Sequence, residues 1–94
     1  MPYIEKRDRP QFNEPIGELA RWITSKGDLN YVISELVGRL ILKTGMSYTN
    51  SSNWIDGVHG AERELTRRLL NPYEDVKIEE NGDVASFEKI LDSM

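Results

Sequence analysis

The sequence has no cysteine and a single histidine, His59. The first absence removes disulfides, thiolate nucleophiles and thiolate metal sites, and it fits a reducing compartment. The second leaves the imidazole without a second group of suitable pKa beside it, which weakens general acid–base catalysis. Long apolar runs are missing too. No stretch approaches the length of a membrane span, and the opening MPYIEKRDRP carries charges where a signal peptide needs an apolar core. A soluble, cytoplasmic chain is the expectation. Basic surplus is also lacking: the net charge of −4 gives a field that repels nucleic-acid backbone and anionic membrane. Generic DNA or RNA binding and a membrane partner are therefore disfavoured.

What is present is the composition of a packed globular protein, 38% hydrophobic and 30% charged. A chain of 94 residues is one domain. At this size folding hides only roughly 60–65% of the unfolded surface, so a monomer has a thin core that self-association would thicken.

Hydrophobic spacing predicts an all-α fold: three helices in an antiparallel bundle or hairpin, a short helical tail over 84–94, and completion by oligomerisation. The first helix is expected from about Arg9 or Pro10, capped by Asp8, to about Thr24, with Pro15 as the alternative start. Its core face is Phe12, Ile16, Leu19, Ala20 and Ile23. Residues 26–28, Lys-Gly-Asp, read as a break in which Gly27 ends one helix and Asp28 caps the next. A connection this tight favours antiparallel neighbours. The second helix, over about 29–44, places Leu29, Val32, Ile33, Leu36, Val37, Leu40 and Ile41 on one wide stripe and ends at Gly45. Its reverse side carries Tyr31, Gly38 and Leu42, so the helix wants partners on both sides.

Residues 46–53 read as a polar loop, and a third helix as running from there to about Leu70. Trp54, Val58, Ala61, Leu65 and Leu69 form its core stripe, and Ile55, His59, Thr66 and Leu70 a second, half-apolar flank. Gly57, Gly60, Glu64, Arg67 and Arg68 lie opposite. Asn71-Pro72 is expected to end this helix and open another turn, which Asn81-Gly82 closes. Behind Ser86, the residues Phe87, Ile90, Leu91 and Met94 give an amphipathic tail too short to be stable alone.

The string PYEDVKIEENGDV, with Gly57, Val58, Ala61, Glu64, Arg67 and Arg68 upstream, the GDLNYVI that begins at Gly27 and the MPYI opening, resembles a family of small helical proteins from phage and prokaryotic genomes. The likeness covers roughly residues 2–84. It implies a fold and an origin, in a phage case a host cytosol, and brings no activity with it. The tail from Ala85 departs from the pattern.

Each candidate site has a plain structural reading beside the functional one. Gly57 and Gly60 each cost roughly 1 kcal/mol in a helix interior relative to alanine. Close helix–helix approach is the simpler account, approach of a ligand the other. Tyr31, Gly38, Leu42, Gly57, Gly60 and Leu70 are thus the candidate oligomer interface. Arg63, Arg67 and Arg68 can fork onto phosphate or make weak surface ion pairs. Tyr48, Trp54 and Tyr73 can stack on a base or simply pack. Those three arginines and three aromatics form the candidate ligand set, led by Arg68. Asp56, His59 and Glu62 have metal-like spacing with one imidazole, which is more often a surface histidine, and no metal or cofactor is expected. The acidic residues Glu74, Asp75, Glu79, Glu80 and Asp83 lack the alternation of a calcium loop. They read as a solvated turn or as partners for Lys6, Arg7 and Arg9.

Two function classes follow. One is a small non-enzymatic homo-oligomer that sequesters a phosphorylated nucleotide second messenger at its subunit interfaces, a counter-defence sponge if phage-encoded; this rests on analogy with small helical sponges. The other is a protein–protein interaction or structural protein with no small-molecule ligand. A hydrolase is a distant third, because no catalytic constellation is visible.

Overall fold

A computed structural model describes residues 4–94, so the Met1–Tyr3 part of the MPYI opening lies outside it. Among the described residues the regular structure is entirely helical: a 3-10 turn Lys6–Asp8, α1 (Pro10–Trp22), α2 (Lys26–Thr44), α3 (Tyr48–Leu65), a π turn Thr66–Leu70, α4 (Asn71–Asn81) and α5 (Ala85–Asp92). The chain divides into two compact units, Met1–Gly60 and Ala61–Met94.

In the first unit α1 starts at Pro10, whose fixed φ suits a first helical position, and continues through Pro15. Arg9, not Asp8, is the residue at its N-cap, and no side chain closes that end. The helix stops at Trp22, two residues before the expected Thr24. The cause is the next cap: Ser25 Oγ accepts the Asp28 N–H at 3.1 Å, and the Asp28 carboxylate accepts the Thr24 N–H at 3.0 Å and its hydroxyl at 3.1 Å. This box, closed on its return side through Thr24, makes Ser25 the N-cap and moves Gly27 and Asp28 into the first turn of α2. The break therefore falls at Ile23–Ser25 instead of 26–28.

Gly45 ends α2 with φ 98°, a backbone that side chains rarely adopt, and its N–H donates to the Ile41 carbonyl at 2.8 Å. Helix α3 then begins at once at Tyr48, because Ser47 Oγ accepts the Asn50 N–H at 3.0 Å. The polar run read as a loop is mostly the first two turns of this helix. Its side chains hold the corner: Asn50 Nδ2 donates to the Thr44 and Gly45 carbonyls at 3.0 and 2.9 Å, and Trp54 Nε1 donates to Thr44 Oγ1 at 3.1 Å. Two carbonyls orphaned at the end of α2 are satisfied by the helix that follows.

In the second unit the expected stop at Asn71-Pro72 does not occur. Leu70 and Asn71 both keep helical backbone angles, and the Asn71 N–H reaches back five residues to the Thr66 carbonyl. Pro72 has no N–H to give to Arg68 and its ring crowds that carbonyl; widening the preceding turn into a π turn makes room. Gly82, with φ 85°, closes α4, Asp83 Oδ1 takes the Val84 N–H at 2.7 Å, and α5 follows. That tail helix opens at Ala85, one residue ahead of Ser86.

Among the described residues no side chain is buried, so neither unit closes a core on its own. The predicted stripes nonetheless differ from their surroundings. Ile23 of the connection after α1, Val32, Val37, Leu40 and Ile41 of α2, and Trp54 and Val58 of α3 are half-buried, whereas Phe12, Ile16, Leu19, Leu36, Leu65 and Leu69 stay exposed. The α2 and α3 stripes are thus only partly covered and the α1 stripe is open over Phe12, Ile16 and Leu19: a face is buried only when a second layer exists.

Candidate functional site

The candidate ligand residues fall in both units. In the second, Arg63 lies near the end of α3, Arg67 and Arg68 in the π turn, and Tyr73 in the first turn of α4, all exposed. The π turn is what places two successive arginines immediately before a proline-bearing turn. Arg67 grips Glu64 with two near-parallel bonds, Nε to Oε2 at 2.9 Å and Nη2 to Oε1 at 2.7 Å. Such a fork is the strongest form of a surface ion pair, and Glu64 is mostly covered, with 18% of its side chain accessible. The fork of Arg67 is thus already occupied by a carboxylate. Arg68, the leading candidate, makes no side-chain hydrogen bond or ion pair among the described residues. Its guanidinium is available.

Tyr73 carries Lys77 over its ring at 5.6 Å from the centroid, and Lys77 also pairs with Glu80 at 3.2 Å. One face of this ring is engaged by a cation, and the residue is 58% exposed. In the first unit Tyr48 is 88% exposed at the start of α3, while Trp54 is half-buried and committed to Thr44 through its indole. Trp54 therefore acts as a latch on the α2–α3 corner. Among the described residues no cluster of three or more His, Asp or Glu side chains is placed to hold a metal, and Asp56, His59 and Glu62 line exposed positions of α3.

Of the proposed interface glycines, Gly57 is exposed while Gly38 and Gly60 are half-buried. Tyr31, Leu42 and Leu70 are exposed, and a Cβ built on Gly38 or Gly57 would meet nothing within 4 Å. No neighbouring side chain of this chain occupies the space beside either glycine. Sequence reasoning passed over two features here. The Glu35–Arg39 pair on α2, 3.0 Å apart, was visible as an i, i+4 spacing in the favourable order. Asn50, which ties the α2–α3 corner, was hidden in a run read only as polar loop.

Asp28 departs in its electrostatics from an ordinary aspartate. Hydrogen bonds from the Thr24 N–H, then from the Thr24 hydroxyl, and from Ser25 hold its carboxyl below the usual aspartate range.

These features define an all-helical protein whose polar candidate site sits on exposed helix surface, beside apolar faces that the single chain leaves uncovered. Among the described residues no helix is long and apolar enough to cross a membrane. The chain belongs to the family described as Domain of unknown function (DUF6899), which matches residues 1–84. The family domain thus stops at Val84, one residue before α5. No curated protein and no solved structure matches the chain.

Proposed function

We propose that the protein is a small non-enzymatic binding protein that works as an oligomer of itself. Its helices would complete an antiparallel bundle only between subunits, and a phosphorylated nucleotide would be held where subunits meet. One observation carries the oligomer: large apolar residues on every α-helix are exposed, and none among the described residues is buried. Exposed apolar faces of this kind mark interaction surfaces.

Support for the ligand is narrower. Arg68 has an unengaged fork five residues before the exposed Tyr73, a pairing of residue types suited to a phosphate and an aromatic ring. In a phage setting such a protein would serve as a counter-defence sponge for a nucleotide immune signal in the host cytosol. The test is a thermal-shift panel of cyclic dinucleotides and ADP-ribose on the full chain. A stabilising shift with one of them, removed by Arg68→Ala, is expected. Silence across the panel would eliminate the ligand and leave the second reading, a protein–protein interaction protein, which the capture of Arg67 by Glu64 already favours.

A further inference from the structure

We propose that a second copy of the chain lies antiparallel across α2, with Tyr31 packed on the partner's Leu42 at both ends of the contact and Glu35 level with the partner's Arg39. The proposal rests on self-association and adds to it a direction and a register.

Successive helical residues turn by about 100°, so Tyr31, Glu35, Gly38 and Leu42 fall within one narrow sector of α2, with Arg39 on the border next to Glu35. The sector is open: Tyr31 is 68% and Leu42 84% exposed, and the space where a Gly38 side chain would stand is empty. Two large apolar residues roughly 16 Å apart thus flank a glycine. A helix with this profile packs on its own copy only if bulk meets bulk at the ends while the backbones close in at the middle.

Direction follows from charge. In a parallel pair the two-fold axis runs along the helices, so the border carrying Glu35 and Arg39 faces the opposite border of the partner and the charges stay apart. In an antiparallel pair the axis crosses the helices between positions 36 and 37. Both copies then present Glu35 and Arg39 on the same side, in reverse order. Each carboxylate comes level with the partner's guanidinium, within about one residue's rise. Within one chain the two groups pair at 3.0 Å, with 76% of the Arg39 side chain and 49% of the Glu35 side chain in solvent, so the pair can be shared across the contact without uncovering a charge. Such pairing selects orientation more than it adds affinity.

The absence of cysteine makes the test direct. Full-length Tyr31→Cys and Leu42→Cys proteins are mixed and oxidised, and compared with each variant alone. The mixture is expected to give at least tenfold more disulfide dimer than either variant alone, because like positions lie roughly 16 Å apart along the axis, beyond the ~7 Å a disulfide spans. Strong crosslinking of Tyr31→Cys alone would replace the antiparallel pair with a parallel one. A mixture that fails to crosslink, from protein that light scattering shows to be oligomeric, overturns the register and spares self-association; a strict monomer overturns both. Gly38→Leu supplies a second arm, since the chain itself has room for the side chain. Unchanged helical circular dichroism with dimer affinity weakened tenfold or more is expected, and undiminished affinity would remove Gly38 from the seam.

Discussion

Asp28 shows how much one side chain can decide. Its carboxylate accepts both the amide and the hydroxyl of Thr24 while its own N–H is taken by Ser25, so it terminates one helix and starts the next. The same bonds lower its pKa, which ties the corner to pH. An unfolded aspartate titrates near 3.9; between that value and the lower native one, the unfolded state holds a proton that the folded state does not. The contribution is complete at neutral pH and is lost as pH falls below about 4 through the lowered value. In thermal melts followed by circular dichroism across pH 2–7, Asp28→Asn should lower the melting temperature at neutral pH and lose part of the wild-type decline below about pH 4. Ser25→Ala removes the other half of the box and should cost about 1 kcal/mol. The sequence placed a cap in this corner but chose the wrong one. S-x-x-D and a Gly-Asp break are both written in residues 25–28, and only the backbone path after Trp22 distinguishes them.

At the scale of elements, the helix ends at Gly45 and Gly82 were legible because a positive φ leaves glycine as the residue of choice. The helical faces of α2 were legible for the same kind of reason, as periodicity reports which side a residue is on. The passage through Pro72 was not. Proline signals a stop in sequence, and the remedy used here, one wider turn over Thr66–Leu70, leaves no mark on hydrophobic spacing. The candidate site was half legible for the same reason. Arg67 and Arg68 stood out as a pair, but nothing in their order said that Glu64 would take the first and leave the second. If the π turn exists because Pro72 withholds a donor and crowds the Arg68 carbonyl, Pro72→Ala should let α3 and α4 merge into regular α-helix. The local opening free energy of residues 66–75 should rise by about 1–3 kcal/mol, which hydrogen exchange would read as slowing by roughly fivefold to a hundredfold, about 1.4 kcal/mol being one factor of ten. Unchanged exchange would mean that the wide turn has another cause.

For the whole molecule the governing fact is that helical order is complete while burial is not. Backbone hydrogen bonds contribute little net free energy in water, and isolated helices under ~12–15 residues are marginal. Yet α5 has 8 residues and α1 has 13. Ordering these segments costs conformational entropy that only apolar burial offsets, and the exposed Phe12, Ile16, Leu36, Phe87 and Ile90 are where that burial is still to be gained. If a second chain supplies it, folding and association are one equilibrium, and stability must depend on concentration. A hundredfold rise in protein adds about 2.7 kcal/mol per dimer by mass action. Shared between two chains of this length, that raises the melting temperature by about 5–10 °C. Melts from 1 to 100 times a low-micromolar concentration, followed by circular dichroism, read this directly. A midpoint that stays fixed across the range would place the missing burial within a single chain and remove the need for a partner.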